Sequence, residues 1–311
     1  MGNKYLVLGG FGFLGQHILK RLLEKGYEVR ALVNSSQPRR QALQDHNFEN
    51  VEIVQGDFRN PTLVKEALEN VKCVYHLIST TTPASSVTDP IFDVQTNLVP
   101  TLELLKLAAE QNIKRIVFPS SGGTVYGVVS QLPVPEVHST NPISPHGIVK
   151  LAIEKYLDWF HHMYGVQYSI LRVANPYGPG QDPLRGHGLI SALLWRLAHN
   201  EPIEIWGDGQ IVRDYVYVDD VAKAVIMAAE DEQPAQLFNV GSGSGVSIRQ
   251  LIERIFEVTG HETSVKYGES RAFDVPVSVL SIDKIEQAIG WQPTTSLEDG
   301  IRKTWDWIQQ L

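Results

Sequence analysis

The sequence predicts an α/β fold: a Rossmann-like doubly wound parallel sheet with a smaller α/β lobe appended. Three observations carry that expectation. Short apolar runs alternate with helical patterns through the first 174 residues. A glycine-rich run separates the first strand from the first helix. After about residue 175 the loops lengthen and Pro176, Pro179 and Pro183 cluster. Strands buried on both faces read as continuous apolar runs, and strict alternation implies crossover helices covering both faces of a parallel sheet. A chain of 311 residues holds about two domains. The expected division is 1–174 for the first, with 212–240 returning to it, and 175–311 for the second.

The elements follow in order. Lys4 to Leu8 is a short apolar run, read as a buried strand. From Gln16 to Lys25, Ile18, Leu19, Leu22 and Leu23 give a helix its apolar stripe, and Gly26 stops it. Tyr27 to Val33 and Val51 to Val54 read as strands, Asn60 to Glu69 as a helix, and Cys73 to Ile78 as a strand. Phe92 to Gln111 reads as one long helix carrying Leu98, Leu102, Leu105 and Ala109 on one side. Arg115 to Phe118 is the next strand, followed by a polar loop from Ser120 to Pro145, a second long helix from His146 to Tyr164, and a strand from Tyr168 to Val173. Val212 to Val218 and a helix from Asp219 to Ala229 are expected to return to the sheet.

Composition narrows the function. Apolar residues make up 43% and charged residues 20%, which is globular and excludes a disordered chain. The net charge of −8 speaks against a nucleic-acid partner or an anionic membrane surface, so an anionic ligand must be held by a few placed cations. A single cysteine, Cys73, excludes an intrachain disulfide and a cysteine-rich metal site, and the ten histidines form no metal-binding cluster. No apolar run approaches a membrane span and the N-terminus carries no signal-peptide pattern, so a cytoplasmic setting is expected.

Gly9-Gly10-Phe11-Gly12-Phe13-Leu14-Gly15 follows a strand and opens a helix. In that setting Gly9 allows the tight turn, Gly12 lets a pyrophosphate approach the backbone, and Gly15 lets helix and strand pack closely. The helix N-terminus supplies free N–H groups for the phosphates. The G-x-x-G-x-x-G spacing resembles the extended branch of the short-chain dehydrogenase/reductases. The resemblance extends to Gly56-Asp57-Phe58, like that branch's adenine-contacting element; to His76-Leu77-Ile78-Ser79, like its strand end; and to Asn97, where the family keeps a helix-bending Asn. Taken alone, Asp57 reads equally well as a cap. At the end of the second strand the acidic residue that accepts from the NAD ribose is replaced by Val33, followed by Asn34, Ser35 and, further on, Arg39 and Arg40. The missing carboxylate removes repulsion of a 2′-phosphate, so NADP as well as NAD enters as an expected cofactor.

Phe118 to Gly127 (F-P-S-S-G-G-T-V-Y-G) resembles the S-S-x-x-x-V-Y-G loop of nucleotide-sugar epimerases and dehydratases, and Ser144 to Lys150 resembles their S-P-Y-G-x-x-K. The resemblance covers the whole chain and is nearest to UDP-sugar 4-epimerases. In that family a Tyr and a Lys four apart share a helix face. The lysine lowers the phenol's pKa and binds the nicotinamide ribose, and a loop Ser or Thr bonds the reacting oxygen. This chain keeps Lys150 but places His146 at the tyrosine position. His146 is an alternative general base, a substitution that silences proton transfer, or a residue replaced in function by another such as Tyr126. Gly122 takes the usual serine position, leaving Ser121 or Thr124 to supply the hydroxyl. Ser120 is assigned with the cofactor, as are Phe13, Leu14, Phe58, Leu77, Ile78 and Ser79.

Downstream, Arg172 to Gly180 resembles the family's R-x-x-N-x-Y-G-P turn, in which the Asn, here Asn175, contacts the diphosphate. Arg213 to Ala222 resembles R-D-Y-x-x-V-D-D-V-A, whose Arg grips the diphosphate. Asp219 and Asp220 are expected to cap the next helix. Arg271 and Asp274 match an R-x-x-D that adds a phosphate and a ribose contact, and Trp206 is expected to border the nucleobase. Arginine suits bidentate phosphate contacts, as an acidic protein with such ligands needs. Together the resemblance implies an NAD(P)-dependent UDP-hexose 4-epimerase that binds no metal and forms a homodimer through the two long helices. The alternatives are a 4-keto reductase, a 4,6-dehydratase or a silent nucleotide-sugar-binding protein. A dehydratase wants T-D-E where this chain has Gly122-Gly123-Thr124.

Overall fold

A computed structural model describes residues 4–34, 48–184, 188–270 and 275–311. In chain order the first half comprises β1 (Lys4–Leu8), α1 (Phe13–Glu24), β2 (Val29–Val33), β3 (Val51–Gln55), α2 (Pro61–Ala67) and β4 (Val71–His76). Next come α3 (Pro83–Thr88), α4 (Pro90–Asp93), a π-turn (Val94–Leu98), α5 (Val99–Glu110), β5 (Arg115–Ser121), α6 (Pro145–Tyr164) and β6 (Gln167–Val173). The remainder runs β7 (Asn175–Tyr177), α7 (Leu189–Ala198), β8 (Ile203–Ile205), β9 (Val212–Arg213), β10 (Tyr215–Tyr217), α8 (Val218–Glu230) and β11 (Ala235–Val240). It ends with β12 (Val246–Ser247), α9 (Ile248–Thr259), β13 (Val265–Tyr267), β14 (Val277–Ser278), α10 (Asp283–Ile289) and α11 (Leu297–Ile308).

Seven strands form the main sheet in the order β3-β2-β1-β4-β5-β6-β11, and every pairing is parallel. The order reverses direction between β1 and β4, so a crevice opens at their C-terminal ends, where such sheets bind ligands. One face packs Val7, Ala31 and Val117 against Ile18 and Leu22 of α1 and Val221 and Val225 of α8. The other packs Leu6, Leu32 and Ile116 against Val64 of α2, Leu104 and Leu105 of α5 and Ile153 and Leu157 of α6. A separate core joins α7, α9 and α11 through Leu194, Ile255 and Trp305. Among the described residues no helix is long and apolar enough to cross a membrane.

Two expectations are corrected. The segment 212–217 does not return to the main sheet: β9 pairs with β12 and β14, and β10 pairs with β7. The chain returns only with α8 and β11, whose whole length pairs with β6. The long helix expected from Phe92 runs without a gap through α4, the π-turn and α5, right-handed at every junction, with α3 before it. Pro83 and Pro90 each start a helical segment, because proline lacks the N–H that a helix interior requires. Finally, Asp219 and Asp220 do not cap α8, whose N-cap is Tyr217. Asp219 pairs bidentately with Arg21 of α1 (3.0 and 2.6 Å), and Asp220 accepts from Thr294 Oγ1 (2.7 Å) and Thr295 N (3.0 Å).

Candidate active site

The turn after β1 is built for close approach. Gly9 adopts a φ of +82°, and Gly12 N–H donates to Gly9 O at 2.9 Å. A Cβ on Gly15 would lie 2.4 Å from Gly9 O and 2.6 Å from Gly10 O, so only glycine lets α1 pack on this turn. A Cβ on Gly12 would meet only Gly9 O, at 3.1 Å; its other side is open. Gly12 is also the N-cap of α1 and supplies no side-chain cap, which leaves the first-turn amides to a ligand. An open approach to uncapped amides fits a dinucleotide pyrophosphate. Phe13 and Leu14 sit in that first turn, both half-buried, and Phe13 reaches the neighbouring cleft.

The neighbouring strand ends complete this side. Leu77, Ile78 and Ser79 follow β4 directly, with Leu77 N–H bonded to Leu8 O at 3.1 Å. Ile78 Cγ1 is 3.3 Å from where a Gly9 Cβ would stand, so the two strand ends are in contact. Asp57 is exposed and accepts from Arg59 N (2.8 Å) and Arg59 Nε (3.0 Å), bonds that hold its carboxyl below the usual range. The Phe58 ring is buried against His76, 5.2 Å between centroids, so its side chain belongs to the core and only its backbone is left to a cofactor. Asn34 is exposed after β2. Ser35, Arg39, Arg271 and Asp274 lie outside the described residues.

Two residues assigned to the cofactor have side chains bonded within the protein. Asn97, in the π-turn, accepts from Thr80 N (2.9 Å) and donates to Thr81 Oγ1 (3.2 Å) and Asp93 Oδ1 (2.8 Å). Its amide therefore fastens the loop after Ser79. Ser120 Oγ donates to Glu154 Oε1 at 2.5 Å and is buried.

His146 and Lys150 stand four residues apart at the start of α6. Ser144 caps this helix by accepting from Gly147 N, Pro145 opens it, and His146 N–H donates to the buried Ser86 Oγ of α3 at 3.1 Å. The His146 imidazole is pushed down to about 3 by burial and by the nearby Lys150 charge, so it is neutral at ordinary pH. Lys150 Nζ donates to Pro119 O at 3.1 Å and lies 4.6 Å from the centre of the Phe118 ring. Burial lowers its amine to about 8, opposed by the charges of Asp93 and Glu154. Thr124 Oγ1 is buried with no partner among the described residues, and Thr124 O lies 2.8 Å from where a Gly147 Cβ would be. Thr124 and Ser121 are both half-buried, and the unpartnered Thr124 hydroxyl stands beside Ser121 as a candidate for the reacting oxygen. Tyr126 is excluded as a substitute base: its OH donates to Asn239 Oδ1 at 2.7 Å and burial pushes it up to about 12.

Across the crevice lies a cleft of about 410 Å³ lined by Phe13, Pro83, Asn175, Trp206, Arg213 and Tyr215, among others. Asn175 and Tyr215 are register partners, and Asn175 Nδ2 donates to Asp214 O at 2.9 Å. Arg213 Nη1 is steered by Val275 O (2.6 Å) and Val212 O (3.0 Å). Trp206, which composition alone would send to the core, is 58% exposed at the rim. Sequence reasoning missed Asp214, fully buried, which accepts from Ser242 N and Oγ, both at 2.7 Å, and fixes the β9–β10 corner. It also missed Glu154, although a charged residue within the stripe Val149, Ile153, Leu157 was a signal in itself.

Comparison with known proteins agrees with this geometry. The NAD dependent epimerase/dehydratase family matches residues 5–241. A UDP-glucose 4-epimerase of Mycolicibacterium smegmatis is 34% identical over 301 residues, covering 96% of each chain. The crystal structure of a Thermotoga maritima UDP-glucose 4-epimerase with UDP-glucose superposes with a TM-score of 0.93 at 35% identity, covering 99% of both chains. That of a Thermus thermophilus UDP-glucose 4-epimerase with NAD gives 0.90 at 33% identity, covering 98% of both.

Proposed function

The chain belongs to the NAD dependent epimerase/dehydratase family, and from that premise we propose that it is a UDP-hexose 4-epimerase of low intrinsic turnover. It is an NAD-dependent nucleotide-sugar epimerase. The observation that carries the finer reading is the pairing of His146 and Lys150 four residues apart on α6, with the Thr124 backbone against the first turn of that helix and Arg213 and Asn175 lining a separate cleft.

Bound NAD would supply the acceptor for a hydride from the sugar C4 and the donor for its return. The protein's residues do the rest. The first-turn amides of α1 hold the pyrophosphate. Lys150 holds the nicotinamide ribose. Arg213 and Asn175 grip the substrate diphosphate and Trp206 flanks its base. Thr124 Oγ1 orients the reacting hydroxyl, and neutral His146 takes its proton. That imidazole holds a proton weakly because burial and Lys150 both disfavour its charged form, so proton transfer is slow.

Incubation with UDP-glucose and NAD, followed by NMR, is expected to show slow formation of UDP-galactose without net reduced cofactor. Stoichiometric consumption of NADPH would assign a reductase instead. Tight binding of both ligands with no product would assign a silent binding protein, the second reading that the depressed His146 basicity favours.

Three finer assignments accompany the function. Val33 and Asn34 present no carboxylate to repel a 2′-phosphate, so NADP binds alongside NAD; dissociation constants for the two differing by more than about tenfold in favour of NAD would overturn this. Val99, Tyr156, Trp159, Met163 and Tyr164 leave an exposed apolar face on α5 and α6, which is where a second copy packs to make a homodimer. The single free cysteine, buried Cys73, suits a reducing cytoplasm.

A further inference from the structure

Glu154 lies one helical turn beyond Lys150 on α6 and is 3% exposed, within the apolar stripe that packs on the sheet. A carboxylate so buried persists only when paired and hydrogen-bonded. Its Oε1 accepts from Ser120 Oγ at 2.5 Å and from Arg172 Nε at 3.2 Å; its Oε2 accepts from Arg172 Nη2 at 2.7 Å and Nε at 3.2 Å. Ser120 and Arg172 are register partners on β5 and β6, so one carboxylate ties α6 to two adjacent strands near their C-terminal ends. The carbonyl that receives the Lys150 ammonium belongs to Pro119, the residue immediately before Ser120. The guanidinium is steadied in turn by the face of the Tyr126 ring, 4.8 Å away, and by Glu136 O at 3.4 Å.

We propose that Glu154 is the positioning residue for Lys150: clamped by Ser120 and Arg172, it fixes the height of α6 over β5 and places a carboxylate charge behind the ammonium. The inference rests on the reading of Lys150 as the group that holds the nicotinamide ribose. The groups facing Lys150 are Asp93 from α4, Glu154 and His146 from α6, His76 from β4, and the Pro119 carbonyl and Phe118 ring from β5. Both histidines are held neutral by burial. The negative charge at Lys150 therefore comes from Asp93 and Glu154, and removing Glu154 leaves half of that pair.

The test reads Lys150 directly in the protein without ligands, so it is independent of turnover. Protein grown with 13C-lysine is titrated by NMR through the alkaline range, with Lys150→Arg assigning the resonance. Glu154→Gln is expected to lower the Lys150 midpoint by about one pH unit, and to weaken NAD binding above the new midpoint. Should Glu154→Gln not fold, the double variant Glu154→Gln with Arg172→Gln removes both charges, and the same direction of shift is expected. A folded variant whose Lys150 midpoint stays at the wild-type value overturns the proposal. Failure of wild type to bind NAD would instead overturn the function, leaving the titration result standing.

Discussion

At the scale of single residues, the side chain at 146 decides how a proton can move. An imidazole at 146 is neutral and shallowly basic, whereas a phenol beside an ammonium is stabilised as phenolate. His146→Tyr is therefore expected to raise kcat for UDP-glucose epimerisation by roughly 10² or more, the range of a positioned general base. A fall in kcat would show that imidazole is the working base and that the phenol does not fit. The pH profile of the wild type follows from the same groups. His146 charges only near 3, so it adds no acid limb between pH 5 and 7. Lys150 is charged below about 8 and loses its proton as pH rises through that value. A step that needs the ammonium must then decline above pH 8, and a profile still rising at pH 9 would refute the assignment. On the substrate side, Arg213→Ala removes a charge-assisted contact of about 1.5–3 kcal/mol, so KM for the UDP-sugar is expected to rise by at least tenfold with a smaller change in kcat.

At the scale of elements, the glycine turn shows how little freedom the cofactor end has. Gly15→Ala would drive a Cβ to 2.4 Å from Gly9 O, a backbone atom that cannot swing aside. The turn must open and α1 must lift. Loss of measurable NAD binding is expected, with destabilisation of about 1–3 kcal/mol, checked by calorimetry and denaturant melts. Gly12→Ala, whose Cβ meets only Gly9 O at 3.1 Å, is expected to keep its stability while losing affinity. This end was legible in the sequence because local rules govern it: a strand, a glycine turn and a helix follow one another in the chain. The strands β1 to β6 and the helix α6 were legible for the same reason, as short apolar runs and apolar periodicity within one stretch of chain. What escaped was set by distant partners. The bonds by which Asn97 fastens the loop at Thr80 and Thr81 join residues sixteen and seventeen apart. The acids at 219 and 220 looked like caps because their partners, Arg21 and Thr294, lie far away in the chain. β9 and β10 read as sheet strands, since no local signal tells which sheet a short strand will join.

At the scale of the whole molecule, α1 also ties the main sheet to α8 and to the turn at Pro179. His17 Nε2 reaches Pro179 O at 3.0 Å, Arg21 holds Asp219, and Lys25 Nζ holds Glu230 at 2.7 Å, so one stripe of α1 grips the substrate-side turn and both ends of α8. The opposite flank is different in kind. The outer face of α6 carries Tyr156, Trp159, Met163 and Tyr164, between 39% and 57% exposed; Tyr156, Trp159, Phe160 and Tyr164 line a groove of about 560 Å³ with Leu102 and Ala109 of α5. Aromatic side chains gathered in this way on a rigid helix pair supply much of the apolar area that a stable dimer buries. Trp159 is the best single probe, because its ring stands edge-on to both Phe160 and Tyr164 and is itself 46% exposed. Trp159→Glu introduces a charge that a dimer interface must desolvate and that a monomer leaves in water. Sedimentation velocity is expected to show wild-type dimer converting to monomer, while the far-UV spectrum stays unchanged. The active site gains its rigidity from α6, which carries His146 and Lys150 at one end and Trp159 near the other. Monomerisation should therefore lower the melting temperature and kcat together. A variant that remains dimeric, or a wild type that sediments as a monomer, would move the association surface elsewhere on the molecule.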